Sequence, residues 1–159
     1  MNVIFLDVDG VLNRHQQMSN GYAGIEKDCV DNLNLILRKV SDAVIVISSA
    51  WRYLIHRGSM TRSGLEYLLL SHGVECEHKI YGYTVMDEEL PQRGDQILRW
   101  LSEHKNLRIE KYMILDDLSF NFYSLQLPFI QTDAQIGLNA GIAQMVIEYF
   151  NDKEFDNEY

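Results

Sequence analysis

Val3-Ile4-Phe5-Leu6-Asp7-Val8-Asp9-Gly10-Val11-Leu12-Asn13 is the stretch on which the fold of this chain turns. An apolar run that stops at two carboxylates and then at glycine reads as a buried strand. Such a strand delivers its acids to the carboxyl edge of a parallel sheet, where open α/β sheets bind ligands. The two-residue period of a strand would point Asp7 and Asp9 the same way, so separate jobs require a bend after Leu6, which Gly10 permits. Clustered carboxylates repel unless positive charge sits between them, and a hard cation such as Mg²⁺ suits their oxygens. Asp and Gly are also ordinary turn residues at strand ends. The rest of the chain decides between the two readings.

Outward from this strand, residues 13–24 carry polar and glycine signals (Asn13, Ser19, Asn20, Gly21, Gly24) and are expected to form an exposed flap at the edge bearing Asp7. Leu33, Ile36, Leu37 and Val40 then recur at helical spacing, with Asp28 placed to cap that helix and Arg38 and Lys39 suited to its C-terminal dipole. Residues 43–47 are a second β-branched run, buried on both faces, ending in Ser48-Ser49-Ala50-Trp51-Arg52. A further helix is signalled by Ser63 and Glu66 as a capping box, by Leu65, Leu68 and Leu69 on one face, and by Gly73 at its end. Between positions 43 and 65 there is no acidic residue, while Arg52, Arg57 and Arg62 fall inside. In an acidic chain this local reversal of sign marks either a solvated helix face or a patch for substrate phosphate.

Residues 74–85 suggest a short edge strand followed by an extended loop, and 87–91 a turn. Arg93-Gly94-Asp95 opens a helix with Ile97, Trp100 and Leu101 inward, ending near His104. A third buried strand, 112–115, again ends in acid, Asp116-Asp117. A short strand over 127–131 tolerates Pro128 near its start. Asn139 is expected to cap a last helix with Ile142, Met145, Val146 and Tyr149 on its buried face.

Composition bounds the reading. The length suits one domain with its own core, over residues 1–150, followed by an acidic tail, 151–159, expected to fray. Acids outnumber bases 23 to 14, for a formal charge of −9. Long-range attraction to bare nucleic acid or an anionic membrane is therefore not expected, although a local basic patch could still bind phosphate. Cys29 and Cys76 have no metal or redox spacing and are read as reduced or buried thiols. Met1 leads almost directly into the first strand, so no secretory signal is expected, and no apolar run approaches membrane-spanning length. The expected location is the cytoplasm.

Alternating strands and helices imply parallel strands joined by right-handed crossovers, which places every strand's carboxyl end on one edge. Asp7/Asp9, Ser48/Ser49 and Asp116/Asp117 meet there, with Arg93 opening a helix near the same edge. Each fits phosphoryl transfer. Asp7 is assigned as the nucleophile that forms an acyl phosphate, and Asp9 as the group that protonates the leaving alkoxide and later takes a proton from water. A hydroxyl, from Ser48 or its neighbour Ser49, bonds a phosphoryl oxygen, and Arg93 stabilises the charge on the others. Asp7, Asp9, Asp116 and Asp117 supply the Mg²⁺ ligands.

In the order Asp7-Val8-Asp9-Gly10-Val11-Leu12, Ser48, Arg93, Asp116-Asp117, the chain resembles haloacid dehalogenase (HAD) superfamily phosphatases. Further stretches are Ser48-Ser49-Ala50-Trp51-Arg52, Arg93-Gly94-Asp95-Gln96-Ile97 with Trp100-Leu101, Ile114-Leu115-Asp116-Asp117, and Gln131-Thr132-Asp133 with Gly137-Leu138. They are similar to the HAD domains associated with Swiss Army Knife RNA-repair proteins. The resemblance implies a Rossmann-like three-layer sandwich with a mostly parallel central sheet, Mg²⁺ dependence, and the nucleophile and acid/base roles given above. The sequence departs at the third motif, where lysine is usual and Arg93 stands; its planar fork keeps the charge with a different geometry. Neither gap in which relatives carry a cap domain leaves room for one, so only the 13–24 flap and the 78–92 loop are expected over the site.

An open site suits a bulky phosphorylated substrate: a nucleotide, a nucleic-acid end or a phosphoprotein, with Arg14, Arg52, His56 and Arg57 as candidate contacts. His15 and His56 are not needed by aspartyl chemistry. Two rival readings remain. A catalytically silent phosphate- or partner-binding module would not need an acid/base group such as Asp9, and a receiver phosphorylated on aspartate would need its acceptor on a later strand.

Overall fold

The structure, a computed structural model, describes residues 1–14 and 24–152. The expected flap lies largely outside the described residues, as do His15 and the tail from 153 onward.

Five strands form one sheet: β1 (Asn2–Leu6), β2 (Ala43–Ile47), β3 (Ile80–Tyr83), β4 (Lys111–Asp116) and β5 (Phe129–Gln131). Their order is β3-β2-β1-β4-β5, and every pairing is parallel. The helices are α1 (Lys27–Lys39), the short α2 (Arg52–His56), α3 (Arg62–Ser71), α4 (Arg93–Glu103) and α5 (Ala140–Asn151). The fold is a Rossmann-like α/β sandwich. Central β1 is buried along its whole length, as an apolar run without alternation requires when both sheet faces are covered.

Alternate residues of β1 feed two cores. Ile4 and Leu6 join Leu33, Ile36 and Leu37 of α1, Leu65 and Leu69 of α3, and Val146 and Phe150 of α5. Val3 and Phe5 join Ile97 and Trp100 of α4 and Phe122 on the opposite face. The chain moves from β1 outward through β2 to β3, then returns to place β4 on the other flank of β1. The carboxyl ends of β1 and β4 are therefore the topological switch point, where the crevice of an open α/β sheet lies.

Three local readings need correction. Asp28 does not cap α1: Glu26 is the N-cap residue, without a side-chain cap bond, and Asp28 instead accepts from Arg14. The Ser63–Glu66 capping box is not formed, because α3 starts earlier, with Thr61 Oγ1 accepting from the Gly64 amide at 2.9 Å. The buried stripe of α5 is Ala143, Val146, Ile147 and Phe150, and Met145 is 54% exposed. Both stripes obey the same helical spacing one residue apart, and small Ala143 carries too weak an apolar signal to favour its own register. Asn139 does cap α5, accepting from the Ile142 amide at 2.9 Å. Gly73 does follow α3, with φ +86.

Candidate active site

The ladder continues one residue past each strand end. The amides of Asp7 and Ser48 donate to Leu115 and Leu6 carbonyls, and those of Thr84 and Thr132 to Ile47 and Asp116, all at 3.0 Å. Asp7, Ser48 and Asp116 are thus held by sheet hydrogen bonds on one edge, and all three are buried. Beyond Asp7 the chain bends at once, with the amides of Val11 and Leu12 both returning to the Val8 carbonyl. The bend separates the fates of the two opening acids.

Asp7, Asp116 and Asp117 converge, each offering a carboxylate oxygen within 4.8 Å of the others. Gly10 makes this approach possible. Its φ is +77, and a Cβ there would lie 2.6 Å from the Asp117 carboxyl carbon. Arg93, first residue of α4, brings Nη1 to 3.2 Å from Asp7 Oδ2 and into contact with Asp116 Oδ2. Its guanidinium carbon lies 4.5 Å from the centre of the Phe120 ring. Burial, together with Asp7, pushes the Asp116 carboxyl up to about 7, with Arg93 pulling the other way. Buried hard oxygens with one arginine among three acids leave negative charge in excess, so the residues present fit a divalent cation such as Mg²⁺.

The Asp9 carboxylate does not join this group. Its Oδ1 accepts from Asn13 Nδ2 and its Oδ2 from Trp51 Nε1, each at 2.9 Å. Asn13 is itself fixed, taking the Gly10 amide on Oδ1 at 2.9 Å. The two serines also part. Ser49 Oγ accepts from the Trp51 amide at 3.1 Å, whereas buried Ser48 Oγ has no partner among the described residues. A buried hydroxyl without a partner is unfavourable unless something else meets it. Of the two, Ser48 is the one left to meet a ligand.

The basic candidates divide. Arg52 is buried, with an edge on the hollow beside His56. It donates to the Ser49 carbonyl at 2.7 Å, the Thr84 carbonyl at 2.9 Å, the Val85 carbonyl at 3.1 Å and Gln96 Oε1 at 3.1 Å. It ties the ends of β2 and β3 to α4; burial, with neighbouring Arg93, lowers it to about 10. Arg14 is held by Asp28 and by Glu26 at 3.0 Å. His56 and Arg57 are exposed at the end of α2. His56 and Met86 are shared by two adjoining hollows of about 250 and 240 Å³, one reaching Arg52 and Thr84, the other Gln96. Arg57 lies over the Tyr53 ring at 5.4 Å.

Trp51, Asn13 and Phe120 carry no role in the sequence reading. Trp51 falls inside a stretch that resembles a known family and Asn13 directly follows one, but only the folded chain shows that both bond Asp9. Both cysteines are buried and free, and burial raises their thiols, Cys76 to about 11. Among the described residues no helix is long and apolar enough to cross a membrane.

The model of a family described as the HAD domain in Swiss Army Knife RNA repair proteins matches residues 3–142. No curated protein matches the chain.

Proposed function

Because the chain belongs to the family of HAD domains in Swiss Army Knife RNA repair proteins, we propose that it is a Mg²⁺-dependent phosphomonoester hydrolase. In this reading it works through an aspartyl phosphate on a bulky substrate such as a nucleotide or a nucleic-acid end. The observation that carries the reading is the meeting of Asp7, Asp116 and Asp117 with Arg93 at the β1/β4 switch point. Asp7 Oδ attacks phosphorus as the bond to the leaving oxygen breaks, and Asp9 gives that oxygen a proton. Asp9 then takes a proton from water, whose oxygen attacks phosphorus and breaks the bond to Asp7. Ser48 Oγ and the Arg93 fork bond the phosphoryl oxygens. A Mg²⁺ held by Asp7, Asp116 and Asp117 would supply the charge that screens the nucleophile from an incoming phosphate dianion.

Trp51 and Asn13 each hold one Asp9 oxygen, keeping the carboxyl clear of the acid cluster and oriented for the leaving group. Neither residues 7–26 nor 84–92 span enough chain for an inserted domain, which supports an open site and a large substrate. A silent binding module is the second reading, favoured by Arg93 pairing with Asp7 itself. The deciding experiment is phosphate release from aryl phosphates, nucleotides and 3′- or 5′-phosphorylated oligonucleotides, with Mg²⁺ or EDTA. Release that needs Mg²⁺ and vanishes in Asp7→Asn and Asp9→Asn establishes the hydrolase. Phosphate binding without release from any of them establishes the module.

A further inference from the structure

Phe120, in the segment that leaves β4, takes a left-handed backbone with φ +41, a conformation bulky residues rarely adopt because Cβ crowds the following carbonyl. The core does not require it: Phe120 is 39% exposed, while Phe122 is fully buried. What the conformation achieves lies on α4. The Phe120 ring covers the Arg93 guanidinium at 4.5 Å. Next to it, Asn121 Oδ1 accepts from the Gly94 amide at 3.0 Å and Asn121 Nδ2 donates to Asp95 Oδ2 at 3.1 Å. Two consecutive residues therefore grip the first turn of a helix whose own N-cap residue, Gln92, makes no side-chain cap bond. The seating is close, since a Cβ on Gly94 would lie 2.3 Å from Asn121 Oδ1.

Strained residues persist where several surrounding contacts over-determine them, and they cluster at functional sites. Here the contacts are the ring on Arg93 and the amide on Gly94, and the left-handed turn lets adjacent side chains make both. We infer that Phe120 is the positioning residue for Arg93, covering one face of the guanidinium so that Nη1 stays between Asp7 and Asp116. A planar cation under an aromatic ring loses freedom to rotate, and an ammonium has no plane to hold, so Phe120 and Arg93 work as a pair. What Arg93 then does to substrate rests on the phosphatase reading; the pairing itself does not.

The test follows the Arg93 side-chain Nε–H in nitrogen-15 spectra, identified by its loss in Arg93→Lys. In the wild-type protein this signal is expected to be displaced by the Phe120 ring current and to exchange slowly. Phe120→Leu keeps apolar bulk without the ring; the displacement is expected to collapse and exchange to quicken about tenfold, while Phe120→Tyr retains both. Phe120→Gly relieves the backbone strain and is expected to fold at least as stably while losing the same signature. With p-nitrophenyl phosphate and Mg²⁺, Phe120→Leu should lower kcat/KM about tenfold, and less than about twofold when Arg93 is already lysine. An Arg93 signal unmoved by Phe120→Leu overturns the proposal, as does an equal kinetic penalty in both backgrounds. If the wild-type protein hydrolyses no phosphomonoester, the phosphatase reading falls and the spectra alone decide the role of Phe120.

Discussion

Trp51 donates its indole N–H to Asp9 Oδ2 at 2.9 Å, across the gap between the loop after β2 and the turn after β1. Asn13 holds the other oxygen, so the carboxylate is gripped at both ends by groups that only donate here. A hydrogen bond to a charged group contributes about 1.5–3 kcal/mol, enough to hold the carboxyl in one orientation. Trp51→Phe is expected to lower kcat about tenfold with KM little changed, because in the proposed reaction Asp9 meets the leaving oxygen and not the bound phosphate. Steady-state kinetics on this variant checks the prediction, and a loss confined to KM would place Trp51 elsewhere in the reaction.

Gly10 is constrained twice, by φ +77 and by the Asp117 carboxyl that fills the place of its missing Cβ. Gly73 has φ +86 with nothing near its absent Cβ. Gly73→Ala should therefore cost about 1 kcal/mol from backbone strain alone, and Gly10→Ala about 2–4 kcal/mol, since the acid cluster must also shift. Urea denaturation of both variants measures the difference. Mg²⁺ binding by calorimetry should weaken in Gly10→Ala and stay unchanged in Gly73→Ala.

These positions show how far the sequence carried. The three buried strands, their parallel pairing and the placing of Asp7, Ser48 and Asp116 on one edge, with Arg93 at a helix start beside it, were legible, because unbroken apolar runs ending in polar residues leave an α/β chain little choice. Asp7 and Asp9 could be assigned separate jobs because Gly10 allows a bend. That Asp9 is drawn away by Trp51, 42 residues on, was not legible, since a tryptophan in a loop carries no periodicity to announce its partner. The burial of Arg52 was not legible for a related reason. Arginine is rarely buried, and nothing local shows that the carbonyls of Ser49, Thr84 and Val85 would converge on it. The face of α5 slipped by one position because two overlapping stripes share Val146.

Two of the three arginines of the basic stretch, Arg52 and Arg57, should now separate. Arg52 satisfies acceptors on three segments from a buried position, so Arg52→Met removes hydrogen bonds that water cannot replace. The expected loss of stability is about 3 kcal/mol, read by chemical denaturation. Exposed Arg57 should behave in the opposite way: Arg57→Ala leaves the melting temperature unchanged. If the hollows by His56 accept the body of a nucleic-acid substrate, Arg57→Ala raises KM for a phosphorylated oligonucleotide about threefold while leaving that for p-nitrophenyl phosphate alone. Equal effects on both substrates would remove Arg57 from the substrate path.

Asp116 gives the metal-free protein a pH dependence of definite sign. Its carboxyl is pushed up to about 7 in the folded chain by burial and by Asp7, against about 3.9 when unfolded. Between those values the native state keeps a proton that the unfolded state has released, so stability falls as pH rises through that window. In EDTA the protein should therefore be more stable at pH 5.5 than at pH 7.5 on account of this group, and Asp116→Asn should flatten that slope. Mg²⁺ competes with the proton for the same oxygens, so its stabilising effect should be larger at pH 7.5. Melting temperatures at the two pH values, with EDTA or Mg²⁺, for wild type and Asp116→Asn give all the comparisons. A Mg²⁺ stabilisation that is equal at both pH values, or that survives in Asp116→Asn, would move the cation away from Asp116.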